Sequence, residues 1–95
     1  MSLLWTGSGP EAVRWYRKAA EQGDIGAQNN LGYKYLDGKG VSQDYVKAYK
    51  WLYLASETGN THASKNRDGI AKIMTPNQLS EAKGQIRKWK FQKGK

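Results

Sequence analysis

The chain repeats itself at an interval of 36 positions, and this period constrains the fold more than any other feature. Shifting the sequence by 36 aligns Trp15 with Trp51 and Gly23 with Gly59. In all, six of the sixteen residues from 12 to 27 are identical under the shift. The four further identical pairs are Ala12–Ala48, Ala19–Ala55, Glu21–Glu57 and Ala27–Ala63. A period in the thirties is the size of one helix-turn-helix unit, so the sequence predicts a stack of such units.

Apolar residues recur at three- and four-residue spacing in both copies of the repeat, which is typical of an amphipathic helix. No stretch alternates well enough to predict a strand. We therefore predict an all-α fold, an α/α superhelix of antiparallel helix pairs. Its five helices are predicted at residues 11–22, 25–37, 44–58, 61–74 and 76–91.

The predicted helices are bounded by typical start and stop residues. Gly23 and Gly59 can adopt the left-handed conformation that ends a helix. Asp24 and Asn60 follow at once and can cap the next helix, and Asp44 can cap the third. The segment 75–78 combines a Thr cap, a Pro at the first helical position and a Gln at the third.

The repeat also predicts which residues form the core. Alanines at equivalent positions allow close helix packing, and Gly32, inside a predicted helix, indicates that a neighbouring helix approaches closely. Trp15 and Trp51 occupy equivalent positions beside alanines and are predicted to be buried. The predicted core is Ala12, Trp15, Ala19, Leu31, Gly32, Tyr35, Ala48, Trp51, Ala55, Ile86 and Trp89.

These motifs resemble the Sel-one-like repeat, a relative of the tetratricopeptide repeat. The residues that carry the resemblance are Trp15 to Gly23, Ala27-Gln28, Leu31-Gly32, Tyr35, Gly38 to Val41, Gln43 to Tyr45, Ala48 and Trp51. By this resemblance, residues 25–59 form one complete repeat, and residues 11–23 form the second helix of a preceding repeat. Helices 61–74 and 76–91 close the domain of residues 11–91. Residues 1–10 are a Gly-rich lead, whose start is compatible with sequence added for expression, and 92–95 are a basic tail.

The resemblance implies a protein-binding adaptor or scaffold, often bacterial, that holds a protein or peptide partner on a concave face. The first helix of each pair lines that face, which here means 25–37 and 61–74. Residues outside their apolar stripes are the candidate partner-binding residues, because amides bond peptide backbones and Tyr adds contact area at low entropic cost. They are Asn29, Asn30, Tyr33, Lys65 and Asn66.

The net charge of +8 supports a second hypothesis, binding of nucleic acid or another anionic partner. Arg87, Lys88, Lys90 and Lys93 form a basic patch on the last helix and tail. Cations also stabilise a helix C-terminus, which makes a nucleic-acid partner the weaker interpretation.

An enzyme is the least favoured hypothesis. The family has a cysteine-rich subgroup linked to β-lactam binding or cleavage, but this chain contains no cysteine. Its single histidine, His62, lies near a helix start without a serine partner in the pattern. We predict no catalytic, cofactor-binding or metal-binding residues.

The resemblance also predicts self-association. The helix that should pair with residues 11–22 is missing, so one side of that helix, near Val13 and Tyr16, should lack its usual cover. Leu3, Leu4 and Trp5 are a short substitute. We therefore expect a homodimer through the N-terminal end. No apolar run is long enough to span a membrane, so we expect a soluble protein, cytoplasmic or, if a signal peptide has been lost, periplasmic or secreted.

Overall fold

A computed structural model describes residues 9–94, and all regular structure within that range is helical. The helices are α1 (Pro10–Glu21), α2 (Ile25–Asp37), α3 (Tyr45–Ser56), α4 (Thr61–Ile73) and α5 (Pro76–Lys93). They confirm the predicted all-α class, and most boundaries fall within two residues of the prediction. α5 continues to Lys93, so Gln92 and Lys93 of the segment predicted as a tail are helical. The expectation for Leu3, Leu4 and Trp5 concerns residues outside the described range.

Side-chain caps start four of the five helices. The Asp24 carboxylate accepts from the Ala27 amide at 2.9 Å, and the Asn60 side chain accepts from the Ala63 amide at the same distance. Asp44 caps α3. The start of α5 is a complete capping box. The Thr75 hydroxyl accepts from the backbone amide of Gln78, and the Gln78 side chain accepts from the backbone amide of Thr75. These caps satisfy amides that a helix start leaves unpaired.

The helices pack in chain order, with α3 in the middle. α1 packs on α2, α2 on α3, and α3 on both α4 and α5. α3 contributes the most buried residues, and Leu52 at its centre is fully buried. Gly32 of α2 faces this leucine: a methyl group added at Gly32 would lie 2.7 Å from Leu52 Cγ. The predicted close approach at Gly32 is therefore the contact between α2 and α3.

Of the eleven predicted core residues, eight are buried, two are half-buried and one, Trp15, is exposed. Buried ones are Ala12, Leu31, Gly32, Tyr35, Ala48, Trp51, Ala55 and Ile86. Ala19 and Trp89 are half-buried at the edge of the core. The core also includes Val13, which is only 2% exposed. The expectation that the side of the first helix near Val13 would lack cover was therefore wrong.

The prediction that Trp15 is a core residue was wrong, because its side chain is 60% exposed. Its repeat equivalent, Trp51, is 4% exposed and meets Trp89 of α5 edge-on, with 6.2 Å between ring centroids. The difference lies in the neighbouring helices. α3 is covered by α5, whereas α1 packs closely only on α2 among the described helices. Residues at equivalent repeat positions thus differ in burial when only one of their helices is covered by a later helix.

Candidate functional site

A side-chain hydrogen bond joins α2 to α4 and places both helices on one face of the stack. Asn66 of α4 donates from Nδ2 to the Tyr33 hydroxyl of α2 at 2.7 Å. The same amide nitrogen donates to the His62 carbonyl one turn earlier, at 2.8 Å, which fixes the orientation of the carboxamide. We call the surface formed by Asn29, Asn30, Tyr33, Lys65 and Asn66 the α2–α4 face.

This face offers hydrogen-bonding groups that the described residues leave unused. Both N–H groups of Asn66 are occupied, so its Oδ1 is left to accept a bond. The Tyr33 hydroxyl accepts from Asn66 and can still donate its own proton. Asn29 lies one turn before Tyr33 on the same side of α2, and its Oδ1 is buried without a partner.

The remaining two candidates are accessible at the surface. Asn30 on α2 and Lys65 on α4 are both exposed. The structure therefore brings one pair of the five candidates, Tyr33 and Asn66, into direct contact, and the other three lie on the same two helices. Sequence spacing could place each residue on a helix, but it could not show that the two helices would be bridged at this pair.

The structure divides the predicted basic patch between two sides of α5. Arg87 and Lys90 lie beside Tyr53. Lys88 and Lys93 lie on the other side, next to Trp89. Lys90 forms an ion pair with Glu57, and this hydrogen bond raises the pKa of the lysine. The four residues are thus not one continuous cationic surface.

Sequence reasoning missed three cations that the fold gathers near Lys88 and Lys93. Arg17 of α1, with Lys47 and Lys50 of α3, lines the space between those helices. Lys47 and Lys50 are three residues apart, on one side of a helix next to the buried Trp51. That spacing was a usable signal, whereas the approach of Arg17 depends on tertiary structure.

Comparisons with known proteins agree with this helical-repeat geometry. The model of the Sel1 repeat matches residues 7–24 and 25–60, more than half of the chain. The chain belongs to the Sel1 repeat family. The second match spans α2 and α3, so these two helices form one Sel1 repeat, and the first match contains α1. Membership implies a helical-repeat module of the protein-interaction type.

Two relatives carry similar repeats. A protective antigen present in uropathogenic Escherichia coli strains displays an SLR fold; its crystal structure superposes with a TM-score of 0.80 at 40% identity over 84% of this chain. An exopolysaccharide production negative regulator from Rhizobium leguminosarum bv. viciae is 48% identical over 44 residues, or 46% of this chain. The chain covers only 17% of the antigen and 16% of the regulator. The likeness is thus one of Sel1 repeats within much longer proteins.

Residues 9–94 contain no group of three or more His, Cys, Asp or Glu side chains placed to hold a metal ion. None of the helices in this range combines the length and the hydropathy of a membrane span.

Proposed function

We propose that this chain is a protein-binding module that holds a protein or peptide partner on the α2–α4 face, the concave face of the repeat. The observation that carries the proposal is the bridge from Asn66 to Tyr33. It fixes a tyrosine and a carboxamide from successive repeats side by side. A preformed site loses less conformational entropy on binding than one whose side chains must first be ordered.

The chemistry of the face suits a peptide backbone. The Asn66 Oδ1 can accept from a backbone N–H group, and the Tyr33 hydroxyl can donate to a backbone carbonyl. Tyr33 is half-buried and also supplies apolar contact area. Lys65, exposed at the edge, would favour an acidic residue or a terminal carboxylate in the partner.

The contacts of the basic residues favour this function over nucleic-acid binding. Lys90 is paired with Glu57, which interrupts the row of cations along α5. Affinity for nucleic acid at physiological salt grows with the number of phosphates that are neutralised, so an interrupted row weakens it. An enzymatic role has no supporting arrangement on the α2–α4 face, where His62 contributes only its backbone carbonyl to the hydrogen bonds described.

We also propose that the protein forms a homodimer through the α1 end. The observation that favours it is the 60% exposed indole of Trp15, which lies on α1. Large exposed aromatic side chains are enriched in interfaces between proteins.

Affinity capture from the source organism tests the partner-binding proposal. Wild-type protein would be compared with an Asn30→Arg, Lys65→Glu variant and with an Arg14→Glu, Lys83→Glu control. All four positions are exposed, so both variants should fold, and the control alters only α1 and α5. We expect a partner that is captured by wild type and control but lost with the first variant. Loss of the partner with the control alone would refute the proposed face.

A further inference from the structure

A groove runs between α1, α3 and α5, away from the α2–α4 face. Its first part is the cleft of about 270 Å³ between α1 and α3, and its second part, about 400 Å³, lies between α3 and α5. Glu21 and Lys50 line both parts, so the two parts adjoin. We call this surface the basic groove, because its cations are Arg17, Lys47, Lys50, Lys88 and Lys93.

Aromatic rings hold the cations on the α1–α3 part of the groove. Arg17 donates to the Tyr35 hydroxyl at 2.8 Å, and Lys47 lies over the Tyr35 ring with its ammonium 5.6 Å from the centroid. Lys50 lies over Trp51 at 4.6 Å. Contacts of this kind attract and position a cation without neutralising its charge.

The α5 part of the groove repeats this arrangement. Lys93 lies over Trp89, with 5.5 Å from the ammonium to the ring centroid. The Trp89 indole N–H is buried and has no acceptor among residues 9–94.

The positive charge of the basic groove is only partly balanced by carboxylates of the protein. Against five cations it contains one carboxylate, that of Glu21. The ion pairs of the described residues, Arg67 with Asp68 and Lys90 with Glu57, lie outside it. Burial lowers the pKa of Lys50, which Glu21 only partly offsets. An anion in the groove would compensate both the unpaired charge and this desolvation.

The rings of the groove decide between two kinds of anionic chain. Single-stranded nucleic acid binds basic grooves by stacking its bases on exposed aromatic faces. Tyr35 and Trp51 are only 5% and 4% exposed, and the ammonium groups of Lys47 and Lys50 lie over their rings. Trp89 is half-buried, and the ammonium group of Lys93 lies over its ring. The three rings therefore offer little free face to bases, whereas carboxylates need only the cations.

We propose that the basic groove binds an acidic segment of a partner protein, in extended form. The lysines bind side-chain carboxylates, and the amides of Gln85 and Gln92, which line the α5 part, bond the backbone of the segment. This site is separate from the α2–α4 face and does not depend on it. A partner could contact both, which would strengthen binding through linkage of two weak sites.

Fluorescence anisotropy of a labelled peptide of alternating Glu and Gly tests the proposal. The variant Lys88→Gln, Lys93→Gln removes two charges from the groove. The control Lys83→Gln, Arg87→Gln removes two charges from the other side of the same helix, at positions that are also exposed. At physiological salt we expect the groove variant to bind about tenfold more weakly and the control to stay within about twofold of wild type.

Two other probes make the test specific to acidic peptides. A peptide of alternating Gln and Gly should bind at least about tenfold more weakly than the Glu peptide. Oligo-dT of matched charge should also bind more weakly than the Glu peptide. Equal losses in the groove and control variants would overturn the proposal, since attraction by the net charge alone would explain them. Tighter binding of oligo-dT would overturn it in favour of nucleic acid. Capture on the α2–α4 face is unaffected by either outcome.

Discussion

At the scale of single residues, the contact between α2 and α3 depends on the absence of a side chain at Gly32. A Cβ there would lie 2.7 Å from Leu52 Cγ, and Leu52 is fully buried and cannot move aside freely. We expect Gly32→Ala to lower the free energy of unfolding by about 1–3 kcal/mol, as overpacking does. Urea denaturation followed by circular dichroism would measure the change.

Gly69 provides a matched control for this substitution. It also lies inside a helix, α4, but a Cβ added to it meets no atom within 4 Å. Gly69→Ala should therefore raise stability by up to about 1 kcal/mol, because alanine has the higher helix propensity. A stabilising effect of Gly32→Ala as well would contradict the close packing of α2 on α3.

The two repeat tryptophans show how far residue-level prediction reaches. Sequence identity at equivalent positions predicted that Trp15 and Trp51 would share an environment. Trp51 is buried because Trp89 of α5 covers it, and Trp15 is exposed because α1 packs closely only on α2 among the described helices. Burial depends on the neighbouring element, which a residue's own repeat position does not determine.

At the scale of the helices, the capping residues control stability. Asp24 caps α2 by accepting from the Ala27 amide, and its charge interacts favourably with the N-terminal end of the helix dipole. Asp24→Ala should cost about 1 kcal/mol of stability. Thermal unfolding would show this as a lower Tm.

Asp37, at the opposite end of the same helix, is the control. It is exposed, and a carboxylate at a helix C-terminus is unfavourable for the dipole. Asp37→Ala should therefore leave Tm unchanged or raise it slightly. If both substitutions lowered Tm equally, the loss would reflect net charge rather than capping.

The helices and their caps could be predicted from sequence because their signals are local. Thr75, Pro76 and Gln78 specify a helix start within four residues, and the structure confirms it. The basic groove could not be predicted in this way. It combines Arg17, Lys50 and Lys88 from three helices, and the spaces between those helices follow from tertiary packing. The bridge between Tyr33 and Asn66, 33 residues apart, is non-local for the same reason.

At the scale of the whole molecule, the proposed homodimer has its interface at the α1 end of the stack. We expect light scattering over a concentration series to show a dimer that Trp15→Lys disrupts. Phe91→Lys is the control, since Phe91 is similarly exposed, at 67%, but lies near the end of α5. A strict monomer at hundreds of micromolar, or disruption by the Phe91 variant alone, would refute a dimer formed through α1.

The central claim is that partners bind on the α2–α4 face, and site-specific photo-crosslinking tests it most directly. A photo-reactive amino acid would be placed singly at Asn30 and Lys65 on this face, and at Arg14 and Lys83 on α1 and α5. All four positions are exposed, so the probe should not disturb the core. We predict that Asn30 and Lys65 crosslink to the same partner in cells of the source organism and that Arg14 and Lys83 do not. Crosslinks to that partner from Arg14 and Lys83, with none from Asn30 or Lys65, would contradict it.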